Sequence, residues 1–277
     1  MPLLDLYAQK GPLIMGVVNV TPDSFSDGGR HLQLEDALTH ARQLIADGAD
    51  VLDIGGESTR PGAHPVTVDD ELSRVVPLIA ALARESDIPL SIDTLKPEVA
   101  EEARHAGAEI WNDVSALSHS SESLETAARF DGDIVLMHMQ GEPRTMQSNP
   151  WYEDVVAEVE SYLLERAEVA LRAGVKREHI WLDPGIGFGK TLDHNLALIR
   201  ATARLASYGF PLVMAASRKR FIAALEERDG AEPSGPEDRV GASIAVHLHA
   251  VHKGAKMVRV HDVKAMRQAL RVWSAIS

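Results

Sequence analysis

A closed (β/α)8 barrel of the TIM type, built as a single domain over residues 1–277, is the fold class this sequence predicts. Three observations predict it. Eight short apolar runs recur along the chain, each is followed by a longer stretch of helical period, and no Ser/Gly/Pro linker divides the series. The runs are nearly continuously apolar instead of alternating, as expected of parallel strands covered on both faces. An open doubly wound sheet is the alternative; eight similar units with no separate second domain favour closure.

Ile14–Asn19 opens the series and runs into the Gly- and Ser-rich segment 21–31. Asp50–Ile54 starts directly after the helix stop Asp47-Gly-Ala-Asp, and Thr67-Val-Asp-Asp marks the next helix start. Pro89–Asp93 precedes a helix with Pro97 in its first turn, where a missing N–H costs nothing. Glu109–Asn112 follows the stop His105-Ala-Gly-Ala. Asp133–His138, His179–Asp183 and Pro211–Ala215 continue the pattern, and Lys256–Val260 follows Lys253-Gly-Ala-Lys. The polar stretch Asp229–Asp238 is expected to be a mobile surface loop, and segments 21–31 and 55–65 carry the Gly, Ser and Pro content of loops that move.

Composition narrows the partners. With 45% hydrophobic and 25% charged residues over 277, the chain buries a full core without disulfide or structural metal. Its 28 basic and 41 acidic residues give a net charge of −13, which repels a nucleic-acid backbone. There is no cysteine, so thiolate nucleophiles and Cys-ligated metals are excluded. Asp5 and Lys10 interrupt the first twenty residues, and no later run approaches 18 apolar residues. A cytoplasmic, untargeted protein with no membrane partner is expected.

In a barrel of this type the chemistry sits at the carboxyl ends of the strands. Here those ends are Asn19, Asp53, Asp93, Asn112 with Asp113, His138, Asp183, Ser217-Arg-Lys219, and Arg259 with His261. One Asp after a strand is ordinarily a helix cap, but eight polar strand ends form a pattern. Asp93, Asn112, Asp183 and Lys219 offer the acceptors and donors that read a flat heterocycle with an amide edge. Arg60, Arg259 and His261 are cationic or potentially so at the same face, and suit an anionic group such as phosphate.

Other signatures fail. Asp183-Pro-Gly-Ile-Gly-Phe-Gly-Lys-Thr191 has Pro184 where a P-loop needs glycine. Its glycines are expected to let the loop backbone pass close to a ligand, with Phe188 exposed as a wall. His247, His249 and His252 do not share one tight helical face, so packing or surface roles are expected over zinc. No G-x-S-x-G elbow is present.

Gly16-Val-Val-Asn-Val-Thr-Pro-Asp-Ser-Phe-Ser-Asp-Gly-Gly29 and Asp53-Ile-Gly-Gly-Glu-Ser-Thr-Arg-Pro-Gly62 closely resemble the two signature loops of the dihydropteroate synthase family. The resemblance continues in order through Ser91-Ile-Asp-Thr94, Asn112-Asp-Val-Ser115, His138-Met-Gln-Gly141, the 183–190 segment, Ser217-Arg-Lys219 and Arg259-Val-His-Asp262. It implies a TIM-barrel transferase of folate biosynthesis, usually a homodimer, that joins 6-hydroxymethyl-7,8-dihydropterin diphosphate to 4-aminobenzoate with Mg²⁺ assistance. By matched position, Asp93, Asn112, Asp183 and Lys219 would hold the pterin. Asn19, Thr59, Arg259 and His261 would bind the diphosphate, with Asn19 at the metal. Phe25, Thr59, Arg60, Pro61, Phe188 and Ser217 would surround 4-aminobenzoate and its sulfonamide mimics. Asp93, Lys219, Arg259 and His261 would carry the catalysis. A pterin-binding methyltransferase and a non-catalytic pterin-binding barrel are the alternatives implied by the shared fold. The chain departs from the family at Arg220, expected to alter a helix start or add charge near the aminobenzoate carboxylate, and at segment 226–239, which matches nothing.

Overall fold

The apolar runs form eight parallel strands, β1 Leu13–Asn19, β2 Val51–Gly55, β3 Leu90–Asp93, β4 Ile110–Asp113, β5 Asp133–Met137, β6 Ile180–Asp183, β7 Val213–Met214 and β8 Met257–Val260. The structure is a computed structural model that describes residues 2–20, 30–58, 65–142 and 145–276. Hydrogen-bonded order runs β6-β5-β4-β3-β2-β1-β8-β7. A bridge between Leu182 and Leu212, with the Leu182 N–H donating to the Pro211 carbonyl at 2.9 Å, joins β6 to the β7 side and closes the ring. Closure removes both sheet edges, and the open-sheet alternative is set aside.

Helices alternate with the strands: α1 Leu3–Lys10, α2 Arg30–Ala46, α3 Val68–Glu85, α4 Pro97–Ala106, α5 Ser123–Phe130, α6 Val155–Ala173, α7 Leu192–Arg200, α8 Thr202–Ala206, α9 Phe221–Arg228, α10 Val240–His252 and α11 Val263–Ile276. The expected signals operate. The Thr67 hydroxyl accepts from the Asp70 N–H at 3.2 Å, and Pro97 occupies the first turn of α4. Gly107 ends α4 at φ +121°, a conformation that disfavours any residue with a Cβ.

Period-2 alternation sends odd and even strand residues to opposite sides. Ile14, Val18, Leu52, Ile54, Ile92, Trp111, Ile134 and Val258 pack outward under the helices. Leu13, Met15, Val51, Ile110, Val135, Trp181, Val213 and Met257 fill the amino-terminal half of the barrel. The sequence analysis did not assign α1, and it completes this inner layer. Leu3 and Leu6 are buried against it, and the Leu3 N–H donates to Asp133 Oδ2 at 2.9 Å. The barrel is thereby stoppered below, leaving the carboxyl end for the site.

Segment 229–238 differs from the mobile loop expected of it. The Ser234 N–H donates to Glu226 Oε2 at 2.7 Å, and Arg239, at the end of a 3-10 turn Pro236–Arg239, donates from Nε to the Ser234 carbonyl at 3.1 Å. Polar composition here reflects side chains that tie the segment down.

Candidate active site

The inward positions above the apolar layer are polar. Register places Asp93 beside Asn112, Gly55 beside Asp93, Met137 beside Asp183 and Met15 beside Arg259, so acids from β2, β3 and β6 converge with the β8 arginine. The Arg259 guanidinium forks between two carboxylates, Nε donating to Asp53 Oδ2 at 2.5 Å and Nη2 to Asp93 Oδ2 at 2.6 Å. Asn112 Nδ2 donates to the same Asp53 oxygen at 3.1 Å. Asp183 Oδ1 accepts from the Gly185 N–H at 2.7 Å, while Lys219 Nζ lies 4.2 Å from the Phe188 ring centroid. Asn19 Oδ1 and Asp93 Oδ2 lie 3.8 and 3.7 Å from the point a Cβ on Gly55 would occupy, so both border that glycine.

Burial controls the electrostatics. It pushes Asp93 up to about 7, against the pull of Arg259, with Asp53 and Glu71 adding to the rise. Burial also raises Asp183, although the Gly185 N–H and Lys219 oppose it. Lys219 is drawn down to about 8 by burial and then by Arg259. Arg259 is raised, because Asp53 and Asp93 outweigh its burial. His261 falls to about 3 through burial, Arg259 and Arg218, so it is neutral at pH 7. Ser217 Oγ accepts from the His261 backbone N–H at 3.2 Å and lies 3.1 Å from His261 Nδ1. With the Ser217 hydroxyl donating to Nδ1, the neutral imidazole carries its proton on Nε2; with the proton on Nδ1, the same hydroxyl accepts it.

Asn19, Asp93, Asn112, Asp183, Phe188, Ser217, Lys219, Arg259 and His261 therefore share the carboxyl end of the barrel. Phe25, Thr59, Arg60 and Pro61 lie outside the described residues. The expectation that Phe188 is exposed is corrected. It is 9% exposed and packs with Val114, Met137 and Met146, because Lys219 and this apolar cluster cover both sides of the ring. The glycine reading is also corrected. A Cβ on Gly185 would stand 1.9 Å from the His138 carbonyl oxygen and one on Gly189 2.4 Å from that of Gln140, so those two glycines admit the neighbouring loop. His247 is a packing residue, its Nε2 accepting from the Ala216 N–H at 3.2 Å. Arg220 is exposed at the start of α9 and its side chain makes no capping hydrogen bond there.

Three groups carry parts that sequence reasoning did not assign. Asp53 received no role, yet it is fully buried and receives both Arg259 and Asn112; a lone carboxylate inside an apolar strand was the available signal. Lys190 is buried with Nζ 2.9 Å from His138 Nδ1 and donating to the Phe188 carbonyl at 2.9 Å, joining the loops after β5 and β6. Lys96 Nζ donates to Glu57 and Glu71 at 2.6 Å each, fastening the start of the β2 loop to α3.

A parallel barrel whose mouth presents an amide, buried acids and an arginine fork defines a pterin-binding enzyme, and the pterin binding enzyme family matches residues 15–261. The dihydropteroate synthase of Escherichia coli (strain K12) is 46% identical over 264 residues, 95% of this chain and 91% of that protein. A structure of Xanthomonas albilineans dihydropteroate synthase with 4-aminobenzoic acid superimposes with a TM-score of 0.89 at 47% identity, covering 96% of this chain and 93% of that one. The same enzyme in complex with 7,8-dihydropteroate gives a TM-score of 0.84 at 44% identity, with 96% and 94% covered. The chain belongs to the dihydropteroate synthase family, whose members are transferases.

Proposed function

We propose that the chain condenses 6-hydroxymethyl-7,8-dihydropterin diphosphate with 4-aminobenzoate, forming 7,8-dihydropteroate and diphosphate for folate biosynthesis. The observation that carries this reading is the Arg259 fork onto Asp53 and Asp93, with Asn112 and Asp183 on the same rim. It sets acceptors for the N–H edge of a pterin beside a cation for the departing diphosphate. Asn112 and Asp183 hold the ring, and Lys219, after the strand next to that of Asp183, donates to it.

In the reaction the methylene C–O bond breaks with its electrons going to the diphosphate oxygen, and the arylamine nitrogen then forms the C–N bond and loses a proton. Asp93, ionised, stabilises the positive charge spread over the pterin. Arg259 and the Nε2–H of His261 stabilise the leaving oxygens. Phe188 and Ser217, with Phe25, Thr59, Arg60 and Pro61, form the aminobenzoate pocket in the same proposal, and Asn19 and Thr59 meet the diphosphate. The Asn19 amide oxygen is a hard donor of the kind Mg²⁺ takes, so Asn19 would hold the ion together with phosphate oxygens and water, and the ion would neutralise the diphosphate. A homodimer and a cytoplasmic location belong to the proposal on the strength of the family. Among the described residues no helix is long and apolar enough to cross a membrane.

The test is to mix the purified protein with the pterin diphosphate, 4-aminobenzoate and Mg²⁺ and to measure diphosphate and 7,8-dihydropteroate. Stoichiometric release of both is expected, and no product above background overturns the reading. A sulfonamide is expected to inhibit competitively with 4-aminobenzoate.

A further inference from the structure

Arg218 stands between two site residues, Ser217 and Lys219, but its side chain goes elsewhere. Nε and Nη2 donate to the two oxygens of Asp262, at 2.9 and 2.6 Å, and Nη1 to Glu237 at 2.5 Å. Its backbone is held as tightly. The Arg218 N–H donates to Ser243 Oγ at 2.9 Å, and its carbonyl accepts from Arg239 Nη1 at 3.0 Å. It adopts φ +58°, the left-handed region that strains a residue bearing a Cβ, so the surroundings over-determine this turn.

Strand geometry explains the need. β7 contains only Val213 and Met214, paired with Met257 and Val258 of β8. The ladder ends three residues before Ser217, so backbone pairing cannot align Ser217 and Lys219 with Arg259 and His261. Side chains must do it. The Ser217–His261 contact is one fastening, and the Arg218–Asp262 pair, one residue further along both loops, is the second and the stronger, being bidentate and charge-assisted. Segment 226–239, unassigned by sequence, supplies Glu237 and Arg239 behind it.

On the functional reading above, we propose that Arg218 is a positioning residue for the reaction: its pair with Asp262, braced by Arg239, sets Ser217 and Lys219 against Arg259 and His261. The arrangement acts on the diphosphate and aminobenzoate ends of the site through Ser217 and His261, and on the pterin through Lys219 alone. The pterin acceptors Asp93, Asn112 and Asp183 stand on other strands.

The test compares Asp262→Asn, Arg218→Met, Arg218→Lys and Glu237→Gln by steady-state kinetics, melting temperature and calorimetric binding of bare 6-hydroxymethyl-7,8-dihydropterin. Asn keeps the size of Asp and its preference before a helix, so Asp262→Asn leaves the start of α11 intact while removing the charge and one of the two oxygens that accept from Arg218. Asp262→Asn and Arg218→Met are expected to raise KM for both substrates about tenfold while weakening the bare pterin only about threefold, the share that Lys219 carries. Arg218→Lys, which keeps charge without the fork, is expected to recover part of the loss, and Glu237→Gln, on an exposed carboxylate, to stay within about twofold of wild type. Should Arg218→Met fail to fold, Asp262→Asn decides. The inference is overturned if Asp262→Asn leaves both KM values within about twofold of wild type, or weakens the bare pterin as much as the diphosphate ester. Absence of product from the wild-type protein would instead overturn the functional reading.

Discussion

Asp93 has two opposed duties. Its buried carboxyl sits at about 7, well above an exposed Asp, yet the reaction requires it ionised. Lys219, at about 8, must keep its proton to donate. For the free enzyme, kcat/KM is therefore expected to rise with pH through about 7 and to fall through about 8, a narrow bell whose two limbs belong to the coupled cluster. A profile flat over about three pH units around neutrality removes these assignments. The same shift sets a stability slope. Between the ordinary value of 3.8 and about 7 the native state holds a proton that the unfolded chain has released, so stability falls as pH rises across that window. Asp93→Asn is expected to abolish turnover and to raise the melting temperature above about pH 7, with the gain vanishing below about pH 4. An unchanged melting temperature at alkaline pH would count against the burial argument. At this scale the sequence shows which residues end the strands. It does not show that Arg259 bridges Asp53 and Asp93, because a fork between β2, β3 and β8 depends on β8 pairing with β1.

The loop after β6 illustrates how an element is constrained by its neighbour. Gly185 has φ +67° and no room for a Cβ beside the His138 carbonyl, whereas Gly230 has φ +81° and open space around it. Gly185→Ala is expected to cost ~3 kcal/mol or more in denaturant unfolding, since backbone must move, and Gly230→Ala ~1 kcal/mol, the dihedral cost alone. Equal costs would mean that the close approach is not what selects glycine at 185. Strands and helix ends were legible because their signals are local: continuous apolar runs, Pro97 in a first turn, glycine at helix stops. The burial of Phe188 and the purpose of the glycines were not legible, because both depend on the loops after β5 and β7, which are distant in sequence.

Across the whole molecule the two ends of the barrel do different work. The amino-terminal end is closed by an apolar layer and α1, and the carboxyl end carries the buried charges. Leu3 is fully buried on α1, so Leu3→Ala is expected to destabilise by about 2–5 kcal/mol and to leave pterin affinity unchanged. Parallel loss of stability and affinity would show that the ends are coupled. The net charge of −13 belongs to this scale too, arguing against a nucleic-acid surface while Arg259, Lys219 and His261 suit one mouth to a small anion.

By itself the sequence determined the eightfold alternation, the strand ends that carry polar residues and the family to which those motifs belong, since each is written in short-range pattern. Only the tertiary structure decided that β6 and β7 close the ring, that α1 stoppers it, that Asp53 shares Arg259 with Asp93, and that Arg218 turns back to Asp262. Those are contacts between groups from 44 to 206 positions apart wherever a side-chain pair is involved. They exist because the folded barrel sets elements distant in sequence side by side, β8 against β1 and α1 against β5 among them, and no local propensity encodes that distance.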